Sequence, residues 1–360
     1  MAFLHAKRLE DKVALITGGA SGIGKATAKL FAQHGARLVI ADILDKAGSA
    51  VCEELNTQTK ATYVHCDVTN ETDVEKVVDA AVDRYGKLDI MFNHGSKNRP
   101  IPIQIGRIGS ESAEGDPIFM DLERIRIKSL KKAINDVLEW RRRCGELNLR
   151  WYGRGKCVGT PGEAPRSSGD QLSDSDSDSD FQNHVFNNAG VIGSPVIPIL
   201  QSDKSNFQKV MSVNVTGCYL GTKHASRVMI PARRGSIIST ASVASVEPGI
   251  TPVAYTCSKH AVLGIMRSAA AELGPYSIRV NCVSPNVLPT PLAAEALQME
   301  ERELQQAMED KAVLKGVGLT KDDVAYAALY LGSDESKYVS GLNLLIDGAF
   351  SVTNPSFGVF

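Results

Sequence analysis

The chain lacks any apolar run long enough to span a bilayer. Its opening residues, MAFLHAKRLEDK, turn polar and charged at once, unlike a secretory signal. A soluble, cytoplasmic protein is therefore expected. Net charge is also missing: Lys+Arg 40 against Asp+Glu 41 leaves a formal −1, so nothing global draws the chain to nucleic acid or to an acidic surface. Lysine-rich and aromatic nucleic-acid motifs are absent as well. The cysteines, at 52, 66, 144, 157, 218, 257 and 282, are odd in number and scattered. No C-x-x-C pair or metal-ligand spacing with histidine occurs among them, so reduced, mostly buried thiols and no metal are expected. What is present is apolar mass: 43% of 360 residues is enough for a large single core or two domains. The expected partner is a small molecule.

Val13 to Ile16 form a short β-rich run, followed at once by Thr17-Gly18-Gly19-Ala20-Ser21-Gly22-Ile23-Gly24 and then by a helical pattern through Ala26, Ala28, Leu30, Phe31 and Ala32 to Gly35. Strand, glycine turn and helix together form the context in which backbone amides reach a pyrophosphate at a helix N-terminus. Gly18, Ser21, Gly22, Ile23 and Gly24 are thus candidate cofactor residues. A second run, Arg37 to Ala41, ends at Asp42. A carboxylate there accepts both hydroxyls of an adenosine ribose and repels a 2′-phosphate, which favours NAD over NADP. A third run, Thr62 to Cys66, ends in Asp67-Val68, placed to meet the adenine at the carboxyl edge of a parallel sheet.

In the second half, Ala-Tyr-Thr-Cys-Ser-Lys-His places Tyr255 and Lys259 four residues apart, on one face of a helix. A free phenol titrates near about 10, and a neighbouring cation favours its phenolate, which suits acid/base work. Cys257 lies between them but points elsewhere around the helix and has no assigned role.

The set Thr17-Gly18-x-x-x-Gly22-x-Gly24, Asp67, Asn187-Asn188-Ala189-Gly190, Asn214, Ser242, Tyr255-x-x-x-Lys259 and Pro285 through Thr290 resembles the short-chain dehydrogenase/reductase family, in the family's order. Segments such as CDVTNETDV, RRGSIISTAS and YVSGLNLLIDGAFSVTNPSF look most like its plant branch, the secoisolariciresinol dehydrogenase, momilactone A synthase and xanthoxin dehydrogenase type. The resemblance covers residues 8–93 and 188–360. It implies a tetrad of Asn214, Ser242, Tyr255 and Lys259. Tyr255 would be the general base towards a substrate hydroxyl, or the acid in reduction. Lys259 would lower the phenol's pKa and bind the nicotinamide ribose, Ser242 would hydrogen-bond the reacting oxygen, and Asn214 would hold a water linking Lys259 to solvent. Asn188, Ala189, Gly190, Pro285 and Thr290 would complete the cofactor cleft, and a homotetramer would be the assembly, built through the helices of Asn214 and Tyr255. Pro285-Asn286 stands where relatives often have Pro-Gly, and asparagine tolerates positive φ better than most residues.

The pattern is interrupted. Leu88-Asp-Ile-Met-Phe-Asn93 should run straight into Asn-Ala-Gly, but meets His94-Gly95-Ser96, and Asn188-Ala189-Gly190 comes 94 residues late. Residues 94–187 hold both tryptophans, Trp140 and Trp151, an arginine triplet at 141–143 and the Ser-Asp run at 173–180. They are expected to be disordered apart from a basic amphipathic helix beginning near Asp116-Pro117. A coding artefact such as retained intron sequence, a genuine inserted loop, and a helix for a membrane, nucleic-acid or calmodulin contact are the three readings. Leu88–Asn93 is expected to supply the strand.

The expected fold is a doubly wound α/β domain with a parallel sheet, of 1–93 and 188–360, carrying the insertion. The expected activity is NAD-dependent interconversion of a secondary alcohol and a ketone on a hydrophobic terpenoid or lignan metabolite, with residues 291–318 as a mobile lid. The rival is a catalytically impaired binding or interaction protein, produced by disruption of the cofactor edge.

Overall fold

The computed structural model describes residues 7–94, 191–193, 199–290, 293 and 299–352. The expectations for residues 95–187, including the basic helix, lie outside these, as do those for Asn188, Ala189 and Gly190.

The apolar runs that alternate with helical patterns become strands of one sheet: β1 Val13–Thr17, β2 Arg37–Asp42, β3 Ala61–His65, β4 Ile90–Asn93, β5 Gly235–Thr240, β6 Ile278–Pro285 and β7 Asn343–Ile346. All pairs are parallel, in the order β3-β2-β1-β4-β5-β6-β7. The chain reverses its direction of travel across the sheet between β1 and β4. A crevice opens there at the carboxyl ends of the strands, the usual ligand position in such sheets. The fourth strand is formed by the residues before the interruption, as expected.

The helices are α1 Gly22–Gln33, α2 Asp45–Leu55, α3 Glu71–Tyr85, α4 Lys204–Met211, α5 Gly217–Ala232, α6 Val253–Leu273, α7 Glu301–Lys311 and α8 Lys321–Gly332. Strands buried on both faces need apolar residues in both directions. Val13 and Leu15 accordingly join the core under α3, α5 and α6, whereas Ala14 and Ile16 join the one under α1, α2 and α8. Local signals set the ends: the Asn70 side chain accepts from Thr72 N at the start of α3, and Gly86 closes that helix at φ 76°. A five-residue π turn, Ser212–Thr216, joins α4 to α5. Such wide turns break the usual helical bonding ladder and are frequent at functional sites.

Candidate active site

The glycine turn needs glycine on steric grounds. Gly18 has φ +63°, and a Cβ there would lie 2.3 Å from the His94 carbonyl oxygen. A Cβ on Gly24 would lie 2.1 Å from the Gly18 oxygen, so only glycine lets α1 start directly against the turn. Ser21 sits at the N-cap without a side-chain bond to the first helical amides, and the first turn of α1 holds no acidic residue. The positive end of the helix, with Ile23 buried behind it, therefore carries no side-chain cap or carboxylate of its own.

Asp42 is no solvated strand end. It is 1% exposed, its Oδ2 accepts from Ala20 N at 3.1 Å and its Oδ1 from Leu44 N at 3.2 Å. Its charge is thereby fixed beside the glycine turn. Asp67 uses Oδ1 to accept from Thr69 N and Thr69 Oγ1, at 2.9 and 2.7 Å, holding the loop after β3. Val68 is buried beside Gly217, at the first residue of α5. Pro285 ends β6 level with Ile346, and the buried Thr290 accepts from Ala293 N at 3.3 Å.

Two of the four tetrad residues, Tyr255 and Lys259, are in contact, and the turn that follows Ser242 packs on their helix. Tyr255 and Lys259 lie in α6, with Lys259 Nζ 5.4 Å from the Tyr255 ring centroid. The buried ammonium donates to the Thr240 carbonyl oxygen at 3.0 Å. Ser242 follows β5 and caps the turn Val243–Ser245, which packs against α6. Its Oγ accepts from Ala244 N at 3.2 Å, which leaves the hydroxyl proton as its donor. The side chain of Asn214 is engaged inside the protein. Its Oδ1 accepts from Val191 N at 3.0 Å, while Nδ2 donates to Val191 O at 3.1 Å and to Ser258 Oγ at 2.9 Å. The side chain thus clamps the returning chain to α6 and has no donor left for a water. A cavity of about 20 Å³ nonetheless separates Asn214 from Lys259, Thr17, Asn93, Ser239 and Thr240, and can hold one water.

The contacts of Thr17, Thr240, Ser258 and His94 escaped the sequence reading, although Thr17 is part of the glycine motif. Thr17 stands next to the glycines, which is a local signal; the other three depend on contacts made across the sheet. His94 is fully buried with its ring stacked on Phe92, centroids 5.8 Å apart. Burial, and then the Lys259 ammonium, pushes its imidazole down to about 3. In the unfolded chain a histidine titrates near about 6.5. Between those values the unfolded state binds more protons, so His94 costs stability as pH falls from the upper value towards the lower. Going from about pH 7 to pH 5 should cost about 2 kcal/mol through this residue. Urea unfolding at the two pH values checks this, because His94→Asn should lose correspondingly less; an equal loss would contradict it.

Other features are simpler. Cys52, Cys66, Cys218 and Cys282 are buried free thiols, Cys257 is exposed, and burial pushes the Cys66 thiol up to about 12. Among the described residues no His/Cys/Asp/Glu group is arranged to hold a metal, and no helix is long and apolar enough to cross a membrane. Of the lid residues, Met299 and Met308 pack on Ala293 and Leu304. Leu292 and Leu297 lie outside the described set. Val262 and Leu263 of α6 face the core, as a helix shared between core and subunit contact allows, while Ile265 lines its outward face.

Comparison with known proteins agrees with this geometry. Residues 12–104 match the short chain dehydrogenase family model, and residues 176–351 match a model described as enoyl-(acyl carrier protein) reductase. Momilactone A synthase of Oryza sativa subsp. japonica is 41% identical over 356 residues, covering 99% of this chain and 95% of that protein. Secoisolariciresinol dehydrogenase of Forsythia intermedia is also 41% identical, over 99% of this chain and 94% of that protein. A mitochondrial borneol dehydrogenase of Lavandula x intermedia is 39% identical over 100% and 98%. Levodione reductase shares the fold, with a TM-score of 0.65 at 23% identity, over 96% of this chain and 100% of that one. With its doubly wound sheet, its glycine turn against α1 and these relatives, the chain belongs to the short-chain dehydrogenase family of oxidoreductases, whose cofactor is a nicotinamide dinucleotide.

Proposed function

We propose that the protein interconverts a secondary alcohol and a ketone with NAD, on a hydrophobic metabolite of terpenoid or lignan type. The observation that carries this reading is Lys259 held over the Tyr255 ring, with Ser242 at the adjoining strand end. When bound, the dinucleotide supplies the hydride acceptor or donor. Gly18, Ser21, Gly22, Ile23 and Gly24 would hold its pyrophosphate, Asp42 its ribose, and Asp67 and Val68 the adenine. Asn188, Ala189, Gly190, Pro285 and Thr290 would border the nicotinamide end.

In oxidation Tyr255 takes the substrate hydroxyl proton, and in reduction it returns one. Ser242 donates its hydroxyl proton to the reacting oxygen, which fixes that oxygen beside the phenol. The Lys259 ammonium, steadied by the Thr240 carbonyl, favours the phenolate that forms. A water in the small cavity would carry the proton onward from Lys259, with Asn214 framing that cavity rather than bonding the water through its side chain. Val246, Ile250 and Val253 are exposed apolar residues around the Ser242–Tyr255 segment, which suits a hydrophobic substrate. The relatives named for momilactone A, secoisolariciresinol and borneol support that class.

Cofactor choice is tested through Asp42. The parent should reduce NAD far faster than NADP with a cyclic secondary alcohol, followed by absorbance of the reduced cofactor. Asp42→Ala should narrow the preference about tenfold or more, by removing charge–charge repulsion of a 2′-phosphate. Equal use of both cofactors by the parent would overturn the assignment.

Assembly is read as a homotetramer. The outward face of α5 and α6 carries a groove of about 660 Å³, floored by Tyr219, Ile230, Ala261, Gly264, Ile265 and Ala269. A Cβ built on Gly264 would meet nothing within 4 Å among the described residues outside its own helix, so a second copy's helix has room there. Light scattering at micromolar concentration should report four copies; a monomer would contradict this.

A further inference from the structure

We infer that His94, the first residue of the inserted segment, is a positioning residue that sets where Lys259 sits against Tyr255, acting through Thr240. The inference rests on the reading of Tyr255 and Lys259 just given, and its observations are independent of the cofactor. His94 N donates to Thr17 Oγ1 at 2.8 Å, and Thr17 Oγ1 donates to His94 O at 3.0 Å, so the backbone is clamped from both sides. Asn93 pairs with Ser239, which brings the next residue level with Thr240 at the end of β5. There His94 Nδ1 meets Thr240 Oγ1 at 3.1 Å, and the carbonyl of the same threonine accepts from Lys259 Nζ. Stacking on Phe92 and the close approach of Gly18 leave the ring no other place. One residue therefore links the glycine turn, the end of β5 and the reacting lysine.

The titratable groups around Lys259 are Tyr255 on its own helix, His94 after β4, Cys218 on α5 and Cys282 on β6. A ring held neutral adds no competing charge to that set, so its effect on Lys259 is one of placement. The second ring nitrogen, Nε2, is buried and has no partner among the described residues. A buried unpartnered nitrogen is costly, and it offers a rival account: that His94 acts through Nε2 on a bound molecule.

Asparagine places an amide atom where Nδ1 lies, whereas glutamine places one where Nε2 lies, so the two substitutions separate the accounts. The readout is the pH dependence of phenolate absorbance in the full chain without cofactor, taken as the difference between each protein and its Tyr255→Phe counterpart. His94→Ala and His94→Gln should move the midpoint of this difference upward by about one pH unit, because a loosened ammonium supports the phenolate less. His94→Asn should keep the parent midpoint. Thr240→Val breaks the same link without removing the ring and should shift the midpoint as His94→Ala does, which covers the case of a poorly folded His94→Ala. An unmoved midpoint in both His94→Ala and Thr240→Val overturns the inference, as does rescue by glutamine and not by asparagine. Turnover measured in parallel with Tyr255→Phe tests the reaction itself, so the two readings fail separately.

Discussion

Replacing Tyr255 by phenylalanine should lower turnover about 10³-fold, the scale of a lost general acid/base. The ring, its packing on α6 and its contact with Lys259 all remain in the variant, so only the titrating oxygen is removed. Dinucleotide affinity, which the proposal assigns mainly to the glycine turn and Asp42, should stay within a few-fold of the parent. This combination separates chemistry from binding: a fall in affinity alone would point to a positioning defect. Rates within about tenfold of the parent would remove Tyr255 from the role assigned to it.

Deletion of residues 94–187 should improve the protein. The change removes 94 residues of 360 and joins Asn93 to Asn188, restoring Met-Phe-Asn-Asn-Ala-Gly. The two described ends of the interruption are already fastened to one cluster: His94 by Thr17 and Thr240, and Val191 by Asn214, which also bonds Ser258. Closing a loop of this length costs about 4 kcal/mol by the logarithmic law. Asn188 would also take the place of a buried imidazole with an unpartnered nitrogen. A melting temperature higher by roughly 10 °C is expected, with tighter dinucleotide binding and faster turnover. A shortened chain that unfolds or loses activity would show that the insertion belongs to the working structure.

Features carried by neighbours in the chain were legible from the sequence. The glycine turn, β1, α1 and the Tyr255/Lys259 pair announce themselves because strand, turn and helix follow one another, and because four-residue spacing has one meaning on a helix. The assignment of Leu88–Asn93 to the fourth strand also rests on local β character. The internal contacts of Asn214, Asp42 and His94 could not be read this way. The bonds of the Asn214 side chain to Val191 and Ser258 join residues far apart in the chain. Asp42 turned out to bridge β2 to Ala20, a contact created only when β1 and β2 pair. His94 was read as the start of foreign sequence, whereas β4 lies between β1 and β5 and delivers it between Thr17 and Thr240.

The central claim is that the full 360-residue chain is a working NAD-dependent oxidoreductase rather than a binding protein left without its cofactor by the insertion. Titration of that chain with NAD, followed by isothermal calorimetry, tests it most directly. The account predicts one saturable site per chain with a Kd in the micromolar range, about −8 kcal/mol of binding free energy. The absence of any binding heat at millimolar NAD, from a chain shown by circular dichroism to be folded, would contradict it.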